Sequence, residues 1–288
     1  MAHFPIRRTA LRLSFALMAI TGCHMNDTTP SKYFDGQYLR AAMAIDGGNE
    51  SALKATIPHI DVNGRGREDM TLLWYAIIRS NYVAIRDLVS AGYRPDDGAI
   101  NGLGTPLEDA LASDDLRLLK AMLDGGVSPD LQTKGGTTLL QRALYGDKAF
   151  DRVRLLVERG ANINRRDSID GTALLDAILL SKPEIAIYLI EHGADVHATM
   201  ASGVSVAYAV QGAIDDSSQQ TLHARVTDYS IDEDGKLLAT DQTPPVDLSP
   251  RSKALLKKFE HLRALMIAKG AKFPPDPPEQ VRERMQTR

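Results

Sequence analysis

The chain has 288 residues, 43% of them hydrophobic and 25% charged, with a formal net charge of −3. That balance carries no basic excess, which argues against a nucleic-acid footprint. The length alone would admit two domains.

The chain opens with Arg7, Arg8 and Arg12 ahead of an apolar run at 13–20, too short to span a bilayer and laid out like a secretory signal peptide. The run ends in Ile20-Thr21-Gly22-Cys23, which resembles the bacterial lipobox. That resemblance implies cleavage after residue 22 and acylation of Cys23, the only cysteine in the chain. Residues 1–22 are then a lipoprotein signal peptide and 23–34 a lipidated tether. Removing 1–22 leaves 31 basic against 37 acidic residues, a net of −6. His24 is not the aspartate that retains lipoproteins in the inner membrane of enteric bacteria, so the expected address is the periplasmic side of the envelope, with the outer membrane favoured.

Four threonines, Thr71, Thr105, Thr138 and Thr172, open one local pattern at steps of 34, 33 and 34 residues. It reads Thr71-Leu72-Leu73-Trp74-Tyr75-Ala76, Thr105-Pro106-Leu107-Glu108-Asp109-Ala110, Thr138-Leu139-Leu140-Gln141-Arg142-Ala143 and Thr172-Ala173-Leu174-Leu175-Asp176-Ala177. Each unit closes on a glycine, at Gly92, Gly126, Gly160 and Gly193, suited to the left-handed conformation that stops a helix. Between these marks the spacing predicts two short helices. Val83, Ile85, Leu88 and Val89 form one apolar stripe, and Leu116, Leu118, Leu119, Met122 and Leu123 its counterpart one unit later. Neither helix buries its stripe alone, so such units come in runs. Period and pattern resemble the ankyrin-repeat family, whose marks are T-P-L-H-x-A and a G-A-D-V-N ending.

Two weaker units flank these four. Residues 38–63, ending in His59-Ile60-Asp61-Val62-Asn63, look like a first capping unit. Ser205-Val206-Ala207-Tyr208-Ala209 starts a last one whose ending, Gly270-Ala271, arrives 77 residues after Gly193. About 44 extra residues therefore interrupt it, and repeat arrays take insertions in loops. Residues 211–250 hold eight acids and two bases, the whole acidic excess of the mature chain. There, His223, Arg225, Thr227 and Tyr229 alternate before Asp232-Glu233-Asp234-Gly235, which reads as a hairpin with an Asp-Gly turn. The same acids fall near the spacing of a calcium loop, but the final glutamate is missing, and no metal site is assigned. The fold class is all-α: an ankyrin-repeat solenoid of about six helix-turn-helix units over 35–273, with an acidic hairpin or loop inserted at about 211–252. One extended domain is expected rather than two, because a solenoid grows without closing a second core. Residues 274–288 read as a loose Pro-rich tail.

No G-x-S-x-G, phosphate loop or H-E-x-x-H is present, so no catalytic residue, cofactor or metal is assigned, and the seven histidines are scattered. By the ankyrin resemblance, a protein partner would meet finger tips and inner helices. The tips are Arg65, Arg67, Glu68, Asp97, Asn101, Gln132, Lys134, Arg165, Arg166, Asp167 and Asp170. The inner helices carry Trp74, Tyr75, Arg79, Glu108, Asp109, Arg142, Tyr145 and Asp176, with Trp74 standing where the family usually has histidine. Aromatic and arginine anchors dominate interface energy, which singles out Trp74, Tyr75, Arg142 and Tyr145, unless Trp74 and Tyr145 pack against neighbouring repeats.

A lipid-anchored ankyrin array outside the cytoplasm is similar to the immunity lipoproteins that neutralise type VI secreted phospholipase effectors, the segment 33–39 ahead of the first repeat included. That resemblance implies inhibition by occlusion, with the repeats and the acids Asp232, Glu233 and Asp234 gripping the toxin. An acidic patch would also speed capture of a basic surface. An envelope scaffold for a resident periplasmic protein is the alternative, and an enzyme would need a site built wholly within the insertion.

Overall fold

The computed structural model describes residues 28–97, 104–133, 135–223, 229–231, 237–239 and 250–287. The expected signal peptide at 1–22, Cys23, Asn101, Lys134 and the acids Asp232, Glu233 and Asp234 lie outside the described residues. The chain divides into two compact units, one ending at Gly126 and one starting at Val127.

The first unit contains α1 (Pro30–Tyr33), then the pairs α2 (Gly36–Asp46) with α3 (Glu50–Thr56), α4 (Leu72–Ile78) with α5 (Tyr82–Ser90), and α6 (Pro106–Ala112) with α7 (Leu116–Asp124). The second contains α8 (Leu139–Arg142) with α9 (Ala149–Glu158), α10 (Ala173–Leu179) with α11 (Pro183–Glu191), and α12 (Val206–His223) with α13 (Pro250–Ala268), followed by α14 (Pro278–Gln286). Each unit is a stack of helix pairs, as the repeat pattern predicts.

The repeated threonines start the first helix of each pair. Thr71, Thr105, Thr138 and Thr172 accept at Oγ1 from the backbone N–H of Trp74, Glu108, Gln141 and Leu175, three residues on. Ser205 does the same for Tyr208 at 3.1 Å. Each satisfies one of the donors a helix start leaves without a partner. At Thr105 and Thr138 the third residue returns the bond, closing a capping box.

The glycines end the second helix of each pair. Gly92, Gly160, Gly193 and Gly270 have φ of 101°, 85°, 98° and 88°. The residue after each reverts to the last helical turn: the N–H groups of Tyr93, Ala161, Ala194 and Ala271 donate to the carbonyls of Leu88, Leu156, Leu189 and Met266. That double closure is the left-handed helix stop, available to glycine without a Cβ clash.

Between pairs the chain makes a finger closed by one backbone bond. The N–H of Gly66 reaches the Met70 carbonyl in the first unit, and those of Thr133, Asp167 and Met200 reach Thr137, Gly171 and Val204 in the second, all at 2.8–2.9 Å. Side-chain amides then stitch successive repeats. Asn63 donates to the Gly92 carbonyl at 3.2 Å and accepts from the Arg94 N–H at 3.1 Å. Asn164 repeats both bonds on Gly193 and Asp195 at 3.0 and 2.8 Å. The core is aliphatic, with Leu72, Leu73, Ile85, Leu88 and Leu119 fully buried in the first unit and Leu139, Leu156, Leu175 and Leu189 in the second. Each such side chain contributes roughly 1.5–3 kcal/mol.

Three expectations are corrected. Val83 is 42% exposed rather than part of the buried stripe, because it lies at the start of α5 on the side away from Ile85 and Leu88. His223, placed in a strand by the alternation, is the last residue of α12. The helix continues 18 residues from Val206, and α13 runs 19, so both helices of this pair are much longer than their counterparts. Residues Tyr229–Ile231 and Leu237–Ala239 form β1 and β2, paired antiparallel with Ser230 opposite Leu238. Residues 278–286, expected in a loose tail, form α14, because prolines at its cap and first position start a helix instead of breaking one. α14 is anchored where a Cβ on Gly203 would collide with the Pro278 carbonyl, and Asp276 joins Lys272 and Arg284 at 3.1 and 2.7 Å.

Two substitutions separate the caps from the stops. A Cβ at Gly160 meets nothing within 4 Å, so Gly160→Ala tests its positive φ alone and should cost about 1–2 kcal/mol in chemical denaturation. Thr105→Ala removes one capping box and should cost about 1 kcal/mol. Unchanged midpoints for both would refute this account of the repeat ends.

Candidate functional site

In the first unit the anchors expected on a surface are interior. Trp74 is 1% exposed and Tyr75 fully buried, because α4 turns both into the packing of the helix pairs. Tyr75 meets Phe34 edge to face with ring centroids 5.7 Å apart, and Tyr33 at 6.5 Å. Its hydroxyl donates to the Thr28 carbonyl at 3.1 Å and accepts from the Arg79 guanidinium, which pairs with Asp46 at 2.6 Å. Burial pushes the Tyr75 hydroxyl above its ordinary value. Segment 33–39, read as part of a binding architecture, thus seals the end of the first unit.

Arg67 at the finger tip belongs to the same seal. It donates to the carbonyls of Ser31 and Lys32 at 3.0 and 3.2 Å and pairs with Asp35. Arg65 pairs with Asp69 at 3.7 Å. Glu108 closes the Thr105 capping box. Tyr75, Arg67 and Arg79 are therefore occupied in holding the fold.

Asp109 differs. It lines an open cleft of about 440 Å³ between α4–α5 and α6–α7, floored by Trp74, Ile77, Ile78, Ile85 and Leu118 and edged by Ser113, Asp114 and Asp115. Burial raises its carboxyl above the ordinary value.

In the second unit a polar network shapes the finger at 162–171. Gln141 is 1% exposed, although its position is otherwise apolar or cap-forming in the repeats. Its amide donates to Asp167 at 2.8 Å and to Asp176 at 3.0 Å, and its carbonyl accepts from the Thr138 N–H at 3.0 Å. Asp167 in turn accepts from the N–H groups of Ile169 and Gly171 at 2.9 and 2.7 Å. Burial pushes the Asp176 carboxyl up; the Gln141 amide opposes the shift and the charge of Asp167 adds to it. Asp170 sits at φ 62°, an uncommon conformation for a non-glycine residue, held by this network. The result is a rigid finger with Ile169 standing 54% exposed at its tip.

Arg165 and Arg166 tie this finger to its neighbours rather than standing free. Arg165 donates to Gln132 at 3.2 Å, while Arg166 donates to the Asp170 and Thr199 carbonyls at 3.2 and 2.7 Å. What remains presented is a row at the ends of α8 and α10: Arg142, exposed and with no ion pair among the described residues, Tyr145 at 54% exposure and Leu179 at 57%. Ile169 and Leu179 were missed from sequence. Leu179 lies 34 residues after Tyr145, so the period itself pointed to it. Ile169 is the one apolar residue in the polar run 164–171. Among the described residues no group of His, Cys, Asp and Glu could hold a metal ion, and no helix is long and apolar enough to cross a membrane.

Comparison with known proteins agrees with this architecture. Residues 107–200 match the family model for ankyrin repeats in three copies. No curated protein matches the chain. Solved structures similar to it include the ankyrin-repeat domain of Bcl-3, a member of the IkappaB family, at 24% identity, covering 77% of this chain and 97% of that one with a TM-score of 0.48. An ankyrin-repeat domain from Acinetobacter baumannii is 19% identical, covering 81% and 98%, with a TM-score of 0.49. A chain in the complex of a predatory endopeptidase from Bdellovibrio bacteriovorus with its immunity protein is 22% identical, covering 62% and 93%, with a TM-score of 0.42. Ankyrin repeats are thus recognised over 107–200, and the same threonine caps, glycine stops and finger closures recur outside that span; repeats of this kind are generally protein-interaction modules.

Proposed function

We propose that this chain is a lipid-anchored, periplasm-facing immunity protein that binds and inhibits a secreted antibacterial phospholipase by covering its active-site entrance. The anchor reading rests on the residues themselves: a basic start, a short apolar run and a sole cysteine, Cys23, directly after Gly22. No catalytic role is assigned to it.

The observation that carries the binding reading is the presented row of the second unit. Arg142, Tyr145, Leu179 and the rigid tip Ile169 put apolar and cationic anchors in solvent on a stiff frame. Large side chains exposed at repeated positions of a rigid surface suit an interface, where a few aromatic and arginine residues carry most of the energy. A preformed finger also spares the entropy of ordering a loop on binding. Occlusion needs no chemistry from this chain, only a surface that fits and stays.

The test uses the soluble mature chain from residue 24 as bait on envelope extract, with lipase activity of the recovered protein measured against added bait. One recovered lipase whose activity falls stoichiometrically is the expected result. Tyr145→Ala and Leu179→Ala should each weaken the complex about tenfold or more while leaving the melting temperature of the free chain within a few degrees. Recovery of resident periplasmic proteins alone, with lipase activity untouched, would overturn the immunity reading.

A further inference from the structure

The cleft of the first unit is left unused by that reading. Its floor is apolar, from Trp74, Ile77, Ile78, Ile85 and Leu118, and its edge is acidic. The three carboxylates at the edge are not equivalent. Asp115 is fully engaged: it accepts from the Tyr82 hydroxyl at 2.5 Å and from the Arg117 N–H groups, and Arg117 stacks over the Tyr82 ring at 4.8 Å. These bonds, Arg117 first, hold its carboxyl well below the usual range. Asp109 and Asp114 have no cation beside them among the described residues.

Asp109 is the informative one. It lies in the first turn of α6, where a negative charge is favoured by the helix dipole, yet burial still raises its carboxyl. A half-buried carboxylate beside an apolar floor, with no cation of its own, is an electrostatic cost to the folded chain that a cation from outside would relieve. The cleft volume of about 440 Å³ falls in the range of small-molecule and side-chain sites.

We propose that this cleft receives a lysine or arginine side chain of a protein partner, the aliphatic stem lying on Trp74, Ile77 and Ile78 and the cationic head meeting Asp109 and Asp114. The occupant follows from charge and shape. An anion would face two uncompensated carboxylates, and a purely apolar group would complete the burial of Asp109 without a counter-charge. A long basic side chain carries apolar methylenes and a charged tip in the order the cleft offers them. The inference rests on the protein-binding reading but not on which protein is bound.

Trp74 is the chain's only tryptophan, so its emission reports on this cleft directly. The probes are N-acetyl-Leu-Arg-Leu-amide and the same peptide with neutral citrulline in place of arginine, titrated into the mature chain. The arginine peptide should give a saturable change in Trp74 emission, with the citrulline peptide about tenfold weaker. Asp109→Asn should lose that discrimination while being at least as stable at neutral pH, since it removes a desolvated charge. Ala112→Phe, at an exposed edge of the cleft, should block both peptides. Phenethylammonium should compete with the arginine peptide and 2-phenylethanol should not. Equal binding of the two peptides, or no saturable change with either, would overturn the proposal. A negative result here would leave capture of a partner through Tyr145 and Leu179 untouched, so the two readings fail separately.

Discussion

Most of the paired helices are four to eleven residues long, and helices of that length do not persist in water by themselves. What fixes them is how each one ends. A threonine or serine hydroxyl takes the orphan N–H at the start of the first helix, and a glycine at positive φ closes the second. Those two devices set where the chain turns, and the turns bring the apolar stripes of successive pairs into contact. The amide stitches at Asn63 and Asn164 then fix the register of neighbouring repeats inside each unit. Packing supplies the energy, but the ends decide what packs against what.

Because the frame is so regular, departures from it mark where something else is being held. Gln141 is such a departure. At its position the repeats carry Trp74, Glu108 and Leu175, and only at Gln141 does a buried amide reach back to its own cap and across to two carboxylates. The consequence is a finger whose tip, Ile169, stays in solvent on a rigid loop. The cleft of the first unit is another departure, where Trp74 and the isoleucines of α4 border open space in place of a filled contact. Both sites present apolar surface beside unbalanced or exposed charge, a combination suited to recognition.

The fold was legible in the sequence because it rests on local chemistry repeated at a fixed interval. Thr71, Thr105, Thr138 and Thr172 announce their caps, and Gly92, Gly160 and Gly193 their stops, with no need of long-range information. The site was less legible. Trp74 and Tyr75 look like anchors by residue type, yet both are buried, Tyr75 against Tyr33 and Phe34 some forty residues away. Arg67 and Arg166 look like free tips, but backbone carbonyls of neighbouring segments capture them. The position of Leu179 was readable by period, but its exposure was not, because it is the last residue of α10 and an apolar residue there is buried or free according to what packs beside it. The prolines at 277 and 278 signalled a loose tail by composition, whereas their placement at a helix start is a matter of position.

Hydrogen exchange on the captured complex tests the central claim most directly, that the presented row of the second unit holds the partner. The account predicts that binding slows exchange at 141–145, 165–170 and 176–180, with the remainder of α9 and α11 unchanged. Protection confined to α12 and α13, or absent from the second unit, would contradict it.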